Sequence, residues 1–512
     1  MDITTNNIKS LKTIISKTET ANYDWDIIVP DFKPDVGRIV SADGIPNIIT
    51  KDIMQDRAMI TGNIKISILY IPYDNPAVLK NVETVQNFNY VMELSGLRQN
   101  MGLNILATTD KINVSILNSR KLHLSCFMNF LGNVSSFNEL NYISEIASED
   151  IHYKTKEILT YKAICENENV INLVEEIEVP VGNPSIDEIL KLDIKINNKN
   201  IKSIHDKIVV KGDLEIVTVY NSEIEGDIAN YMCHEIPFTE IFDVPGVDEN
   251  TICDAEFNLR NVTYLLKEDR EGEKRIIQLE VSIFIQNKSY EKVKLNSIVD
   301  AYSLKHNIKT ETENYMFDEI INQINGQFNI KDTINFGTET DIVKIINMSP
   351  KSELTKVTTR DNSIILNGNI IIDILYVSKD NSEIKSASST LAFEQVINCD
   401  GATEDIICDL KTDIIKCAYN IVSHNELEIR VNMEYTSVIK RDLSSEIILS
   451  ISYDEENPLT LNKSGIVVYF CNGKENIWDI AKKYKTTVDE ILSINGIDNE
   501  SEIKSHMKLL IP

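Results

Sequence analysis

One pattern recurs three times along the chain and constrains its fold more than any other feature. Gly62-Asn-Ile-Lys-Ile-Ser-Ile-Leu-Tyr70, Gly212-Asp-Leu-Glu-Ile-Val-Thr-Val-Tyr220 and Gly368-Asn-Ile-Ile-Ile-Asp-Ile-Leu-Tyr376 share the form Gly-x7-Tyr, with apolar residues alternating between. That period and the β-branched content predict strands. Upstream stand Pro34, Pro184 and Thr340, each followed by apolar residues at +2 and +5. The three-residue spacing there predicts one short helix per copy. Downstream come Phe88, Phe238 and Phe393, each eight residues before Gly96, Gly246 or Gly401. The unit is about 150 residues long, so these are full domains rather than short solenoid repeats.

More strand-like runs follow, including Lys111–Leu117, Lys121–Phe127, Asp405–Leu410 and Glu426–Glu434, with turn signals such as Asn118-Ser119-Arg120 and Ser423-His424-Asn425 between them. The expected fold is therefore mainly β: three tandem β-sandwich-like repeat domains at 1–150, 151–305 and 306–455. The landmark glycines are expected to start or bend strands. The phenylalanines and tyrosines should anchor the core or its rim, with the tyrosine phenols hydrated at strand ends.

Composition narrows the function. The net charge of −28 argues against binding a phosphate backbone or an anionic membrane. No run approaches the roughly 20 apolar residues that span a bilayer. Met1 to Asn7 lacks a basic and then apolar leader, so the chain is expected to stay where it is made. Eight cysteines form no C-x-x-C pair and read as reduced thiols, several of them in the core. Phosphate-loop, nucleophile-elbow and zinc-helix motifs are absent, and the seven histidines are scattered. No catalytic, cofactor-binding or metal-ligating residue is singled out, and the chain is expected not to be an enzyme.

Residues 456–464 read as a linker, and the pattern then changes. An apolar strand at Ile466–Phe470 precedes a helix capped by Asn476, with Ile477, Ile480, Ala481 and Tyr484 on one face. Thr487 and Glu490 form a capping box for a second helix, which Asn495-Gly496 ends. Lys508-Leu-Leu-Ile-Pro512 closes a separate α+β (βααβ) module over 465–512. Trp478 lies one step off the buried stripe. It either packs at the module's edge or anchors an interface.

These residues carry two resemblances. The Gly-x7-Tyr strand, the Phe-x7-Gly segment and the strands after them resemble SPOCS domains of spore-coat-associated proteins, over roughly residues 10 to 455. Glu475-Asn-Ile-Trp-Asp-Ile-Ala-Lys-Lys-Tyr484, Thr487-Val-Asp-Glu-Ile-Leu-Ser-Ile-Asn-Gly496 and the terminal Leu-Leu-Ile-Pro resemble a LysM domain. In that family N-acetylglucosamine glycans lie between the loop after the first strand and the loop before the last. Here Lys474-Glu475-Asn476 replaces the usual Gly-Asp-Thr, and Ser505-His506 replaces Pro-Gly, so larger residues stand where a glycan would need close backbone approach.

Together the domains resemble SipL-type spore morphogenetic proteins and, more loosely, SpoVID proteins. The resemblance implies a coat-assembly scaffold in the mother-cell cytoplasm at the forespore surface. Its LysM end would bind the coat-base ATPase SpoIVA, through Glu475, Asn476, Ile477, Trp478, Asn495, Gly496, Ile497, His506 and Met507. Other coat proteins are further candidate partners. The alternative is attachment to peptidoglycan.

Overall fold

The computed structural model describes residues 2–224, 229–336, 342–379, 384–408, 410–459, 467–471, 476–499 and 506–512. Repeat 1 consists of β1 (Asp2–Ile28), β2 (Val36–Met54), β3 (Arg57–Pro72), β4 (Lys80–Glu93), β5 (Gly102–Asn118) and β6 (Lys121–Ala147). Repeat 2 follows the same plan with β7 (Ile151–Glu178), β8 (Ile186–Ile204), β9 (Lys207–Ser222), β10 (Asn230–Asp243), β11 (Ile252–Glu268) and β12 (Lys274–Ser303). Repeat 3 comprises β13 (Ile308–Asn335), β14 (Ile342–Arg360), β15 (Ser363–Ser378), β16 (Ile384–Asn398), β17 (Ile406–Cys408), β18 (Lys411–Ser423) and β19 (Glu426–Tyr453).

Each repeat is a sandwich of two antiparallel sheets. The second to fourth strands form a meander, as in β2-β3-β4. The sixth strand pairs with both the first and the fifth, giving β1-β6-β5 and β11-β12-β7; in repeat 3 the split pair β17 and β18 takes the place of the fifth strand against β19. The period-two pattern supplies the core. Ile60, Ile64, Ile66 and Ile68 of β3 face Leu122, Leu124, Cys126, Met128 and Phe130 of β6, all fully buried. All eight cysteines are free thiols, and Cys126, Cys253, Cys399 and Cys471 are buried.

The repeat landmarks turn out to be one packed device. Gly62 pairs with Phe88 across β3 and β4, as Gly212 does with Phe238 and Gly368 with Phe393. The glycines lie mid-strand, under the ring, rather than starting a strand, and each faces a β-bulge of the neighbouring strand. A Cβ on Gly212 would stand 2.7 Å from the Phe238 ring, and one on Gly368 2.7 Å from that of Phe393. The later glycines, Gly96, Gly246 and Gly401, hold φ of +99°, +89° and +82° in the turn after the fourth strand. The tyrosines are buried, not hydrated: Tyr70 and Tyr220 are 0 % exposed. The Tyr70 hydroxyl donates to the Pro34 carbonyl at 3.0 Å and that of Tyr220 to the Pro184 carbonyl at 3.3 Å, which satisfies each phenol without water.

The helix expected after Pro34, Pro184 and Thr340 is instead the start of a strand; Thr340 itself lies outside the described residues. Val36 opposes Pro72 and Ile39 opposes Tyr70, with Gly37 bulged out between the pairs at Val36 and Arg38. The same bulge follows Ile186 and Ile342. One inserted residue stretches a strand's spacing of two to three, which mimics a helical period.

The long first and last strands of each repeat run beyond their own sandwich. Extra residues at Ile14, Ile164 and Ile321 bulge each ribbon at the same place. Past the bulge, ribbons from all three repeats pack on one another. Ile8 and Leu140 of repeat 1, Ile158 and Leu295 of repeat 2, and Phe317 and Ile447 of repeat 3 form one buried cluster. At the opposite end the inner sheets meet through Leu69, Leu190, Val219, Ile346 and Leu375. The three repeats therefore close into a ring. The Leu79 carbonyl accepts from Asn221 (2.8 Å), that of Ala229 from Lys344 (2.9 Å), and that of Ile384 from Arg38 (2.6 Å). Each repeat thus receives a bond from the next in cyclic order.

Candidate functional site

Beyond the ring, β20 (Val467–Phe470), α1 (Ile477–Tyr484), α2 (Val488–Asn495) and β21 (Lys508–Ile511) form the C-terminal module. Asn476 caps α1 by accepting from the Trp478 backbone N–H at 2.9 Å. Thr487 and Glu490 complete the capping box on α2, with bonds of 3.0 and 3.2 Å, and Gly496 ends that helix at φ +61°. Ile477, Ile480, Ala481 and Ile491 pack against Leu509 and Ile511 of β21. Ile466 and linker residues 460–464 lie outside the described residues.

The module does not stand apart from the repeats. Asp300, near the end of β12, accepts the Trp478 indole N–H at 2.7 Å and pairs with Lys482 at 2.6 Å. The Tyr302 hydroxyl donates to the Thr486 carbonyl at 2.9 Å, and its ring meets Trp478 edge-on at 5.0 Å. Tyr302 is 1 % exposed and belongs to the module's own apolar core. Burial pushes its phenol up to about 12. Aromatic edge contacts contribute about 0.5–1.5 kcal/mol beyond area burial, whereas half-exposed ion pairs contribute about 0–1 kcal/mol. Tyr302 and Trp478 therefore hold this dock more than Lys482 does.

This arrangement sorts the residues singled out from the sequence. Ile477 and Ile497 are buried in the core. Asn495 stitches α2 to β21, donating to the Leu510 carbonyl (2.8 Å) and accepting its N–H (2.7 Å). Asn476 and Gly496 are helix caps. His506 donates its N–H to the Cys471 carbonyl at 2.8 Å, and Met507 packs beside the core. Trp478 is an interface residue, facing repeat 2 of its own chain. Glu475 lies outside the described residues, as do 472–475 and 500–505, most of the two loops that flank the LysM groove.

Asp300 and Tyr302 escaped the sequence reading. The three copies carry a usable signal, because the equivalent positions after the second bulge hold Glu145 and Ala147 in repeat 1 and Ser450 and Ser452 in repeat 3. Only repeat 2 places an aromatic residue there.

On the side of the sheet away from the helices, Val468 opposes Leu510 and Phe470 opposes Lys508. Phe470 is 61 % exposed, and Val468 and Leu510 are exposed beside it. Among the described residues no cluster of His, Cys, Asp or Glu has the geometry to hold a metal ion, and no helix is long and apolar enough to cross a membrane.

The family model of the SipL SPOCS domain matches residues 35–117, 185–267 and 341–422, and the LysM domain model matches 474–512. The chain has the SipL-type architecture. Each SPOCS match in this SipL-type chain runs from the second strand of a repeat through the fifth. The long ribbons that join the repeats fall outside the matched segments. Three SPOCS domains place the chain among sporulation proteins, and its LysM module belongs to a glycan-binding class. No curated protein and no solved structure matches the chain.

Proposed function

We propose that this SipL-type chain is a non-enzymatic scaffold of spore-coat assembly. It works in the mother-cell cytoplasm at the forespore surface, where its LysM module engages the coat-base ATPase SpoIVA. The observation that favours a protein partner over a glycan is the outward sheet face of the module. Val468, Phe470 and Leu510 form an apolar patch there. Exposed apolar clusters of this kind mark protein contacts. The substitutions in the groove-flanking loops, Lys474-Glu475-Asn476 and Ser505-His506, point the same way. A module of modest affinity gains avidity when its target is a polymerised layer.

Parallel co-sedimentation of the full chain with purified ATPase polymer and with insoluble peptidoglycan tests this reading. Retention on the ATPase, reduced tenfold or more by Phe470→Glu with the fold intact by circular dichroism, is the expected result. Retention on peptidoglycan alone would overturn it. Substitution is a cleaner probe than removal of 465–512, because removal also uncovers Tyr302.

A further inference from the structure

A cleft of about 750 Å³ separates repeats 1 and 2, bounded by β2, β3 and β4 on one side and by β7, β11 and β12 on the other. That volume is in the range of small-molecule sites, roughly 300–1,000 Å³. Arg260 lines it, and its guanidinium lies 3.5 Å from the centre of the Phe284 ring. It forms no ion pair and no hydrogen bond among the described residues. Glu168, whose charge it feels, is bound by Lys51. The other charges in the cleft cancel, since Lys65 pairs with Glu83 at 3.2 Å. Arg260 is left as an uncompensated cation in a chain of net charge −28.

Two further observations make this a built feature. Arg260 is the extra residue of a β-bulge, between the pairs at Leu259 and Asn261, and such bulges re-aim side chains. The same bulge carries Asp110 in repeat 1 and Ile415 in repeat 3, so the fold does not require a cation there. Around it, the carboxamides of Asn47, Asn63 and Asn261 make no side-chain hydrogen bond among the described residues, and the Tyr264 ring forms part of the wall. Amides that both donate and accept match the hydroxyl and amide groups of a sugar, and the Tyr264 ring beside them is faced by the Lys65 ammonium at 5.0 Å. A planar guanidinium matches a carboxylate.

We propose that this cleft binds a carboxylate-bearing saccharide, with Arg260 taking the carboxylate and the three asparagines its hydroxyl and amide groups. The site is distinct from the LysM groove and belongs to repeats 1 and 2 alone.

Calorimetric titration of the full chain tests it, using the disaccharide of N-acetylglucosamine and N-acetylmuramic acid, with N,N′-diacetylchitobiose as the uncharged counterpart. The acidic disaccharide is expected to bind about tenfold or more tightly than the neutral one, the scale of one charge-assisted hydrogen bond. Arg260→Gln should erase that preference. Asp110→Asn, at the equivalent bulge of repeat 1, should leave it intact. Because Arg260 also stacks on Phe284, thermal melts check that the variant folds, and the exposed Asn261→Ala gives a second test, with weakened binding expected. Equal affinities for the two sugars, or an acidic-sugar affinity unchanged in Arg260→Gln, would overturn the proposal. Arg260-dependent binding of a hexaglutamate peptide without binding of the acidic disaccharide would also overturn it and reassign the cleft to acidic peptides.

Discussion

Tyr70, Tyr220 and Tyr376 carry the repeat at the scale of single residues. Each ends the central strand of its meander with a buried ring. Burial pushes the Tyr70 phenol up to about 12, so it remains a donor to the Pro34 carbonyl throughout the neutral range. Tyr70→Phe keeps the packing but leaves that carbonyl without its donor, and should cost about 1–3 kcal/mol in urea denaturation. Gly212→Ala should cost a similar 1–3 kcal/mol, because the new methyl group meets the Phe238 ring inside a packed sheet. The identity and spacing of these landmarks were legible in the sequence. Their pairing was not, because glycine and phenylalanine sit 25 or 26 residues apart, and only strand register brings them face to face.

Among elements, the two helices were the most legible, since caps and a 3.6-residue stripe are local signals. Their setting was not. The docking of α1 on β12 depends on Asp300, about 180 residues away in sequence. Trp478→Phe keeps an aromatic ring against Tyr302 but removes the indole N–H bond to the Asp300 carboxylate. It should weaken the dock by about 1–3 kcal/mol, the range for hydrogen bonds to charged groups. Faster hydrogen exchange of α1 amides, with the repeats unaffected, is the expected readout. The helix expected after each upstream landmark failed for an equally local reason: a single bulged residue makes a strand's spacing look helical.

For the whole molecule, the ring and its shared ribbons had no sequence signature. Apolar residues at the junctions, such as Ile8 and Ile447, alternate as they would in any strand, and nothing local tells an inter-repeat contact from a sandwich core. Ile447→Asp, which puts a carboxylate into the junction of all three ribbons, should cost more than 3 kcal/mol or prevent closure. Small-angle scattering of the variant should then report an expanded particle. Electrostatics join the repeats as well. Lys191 of repeat 2 is buried between Asp43 of repeat 1 (2.9 Å), Asp193 (3.2 Å) and Ser349 of repeat 3 (2.9 Å). Burial works to raise the pKa of Asp43, but the Lys191 charge outweighs it and holds the carboxyl below its ordinary 3.8. A depressed carboxylate stabilises the fold above its unfolded-state pKa, and that contribution fades as pH falls through the lower folded value. Asp43→Asn should therefore lower the urea midpoint at pH 7, and the difference from wild type should shrink below about pH 4.

The LysM module rides on the repeats as part of one body. Nitrogen-15 relaxation of its backbone amides in the deuterated full chain measures this directly. A rotational correlation time equal to that of the repeat strands, falling when Asp300→Ala breaks the dock, is the predicted result. A module that already tumbles faster than the repeats in the wild-type chain would contradict it.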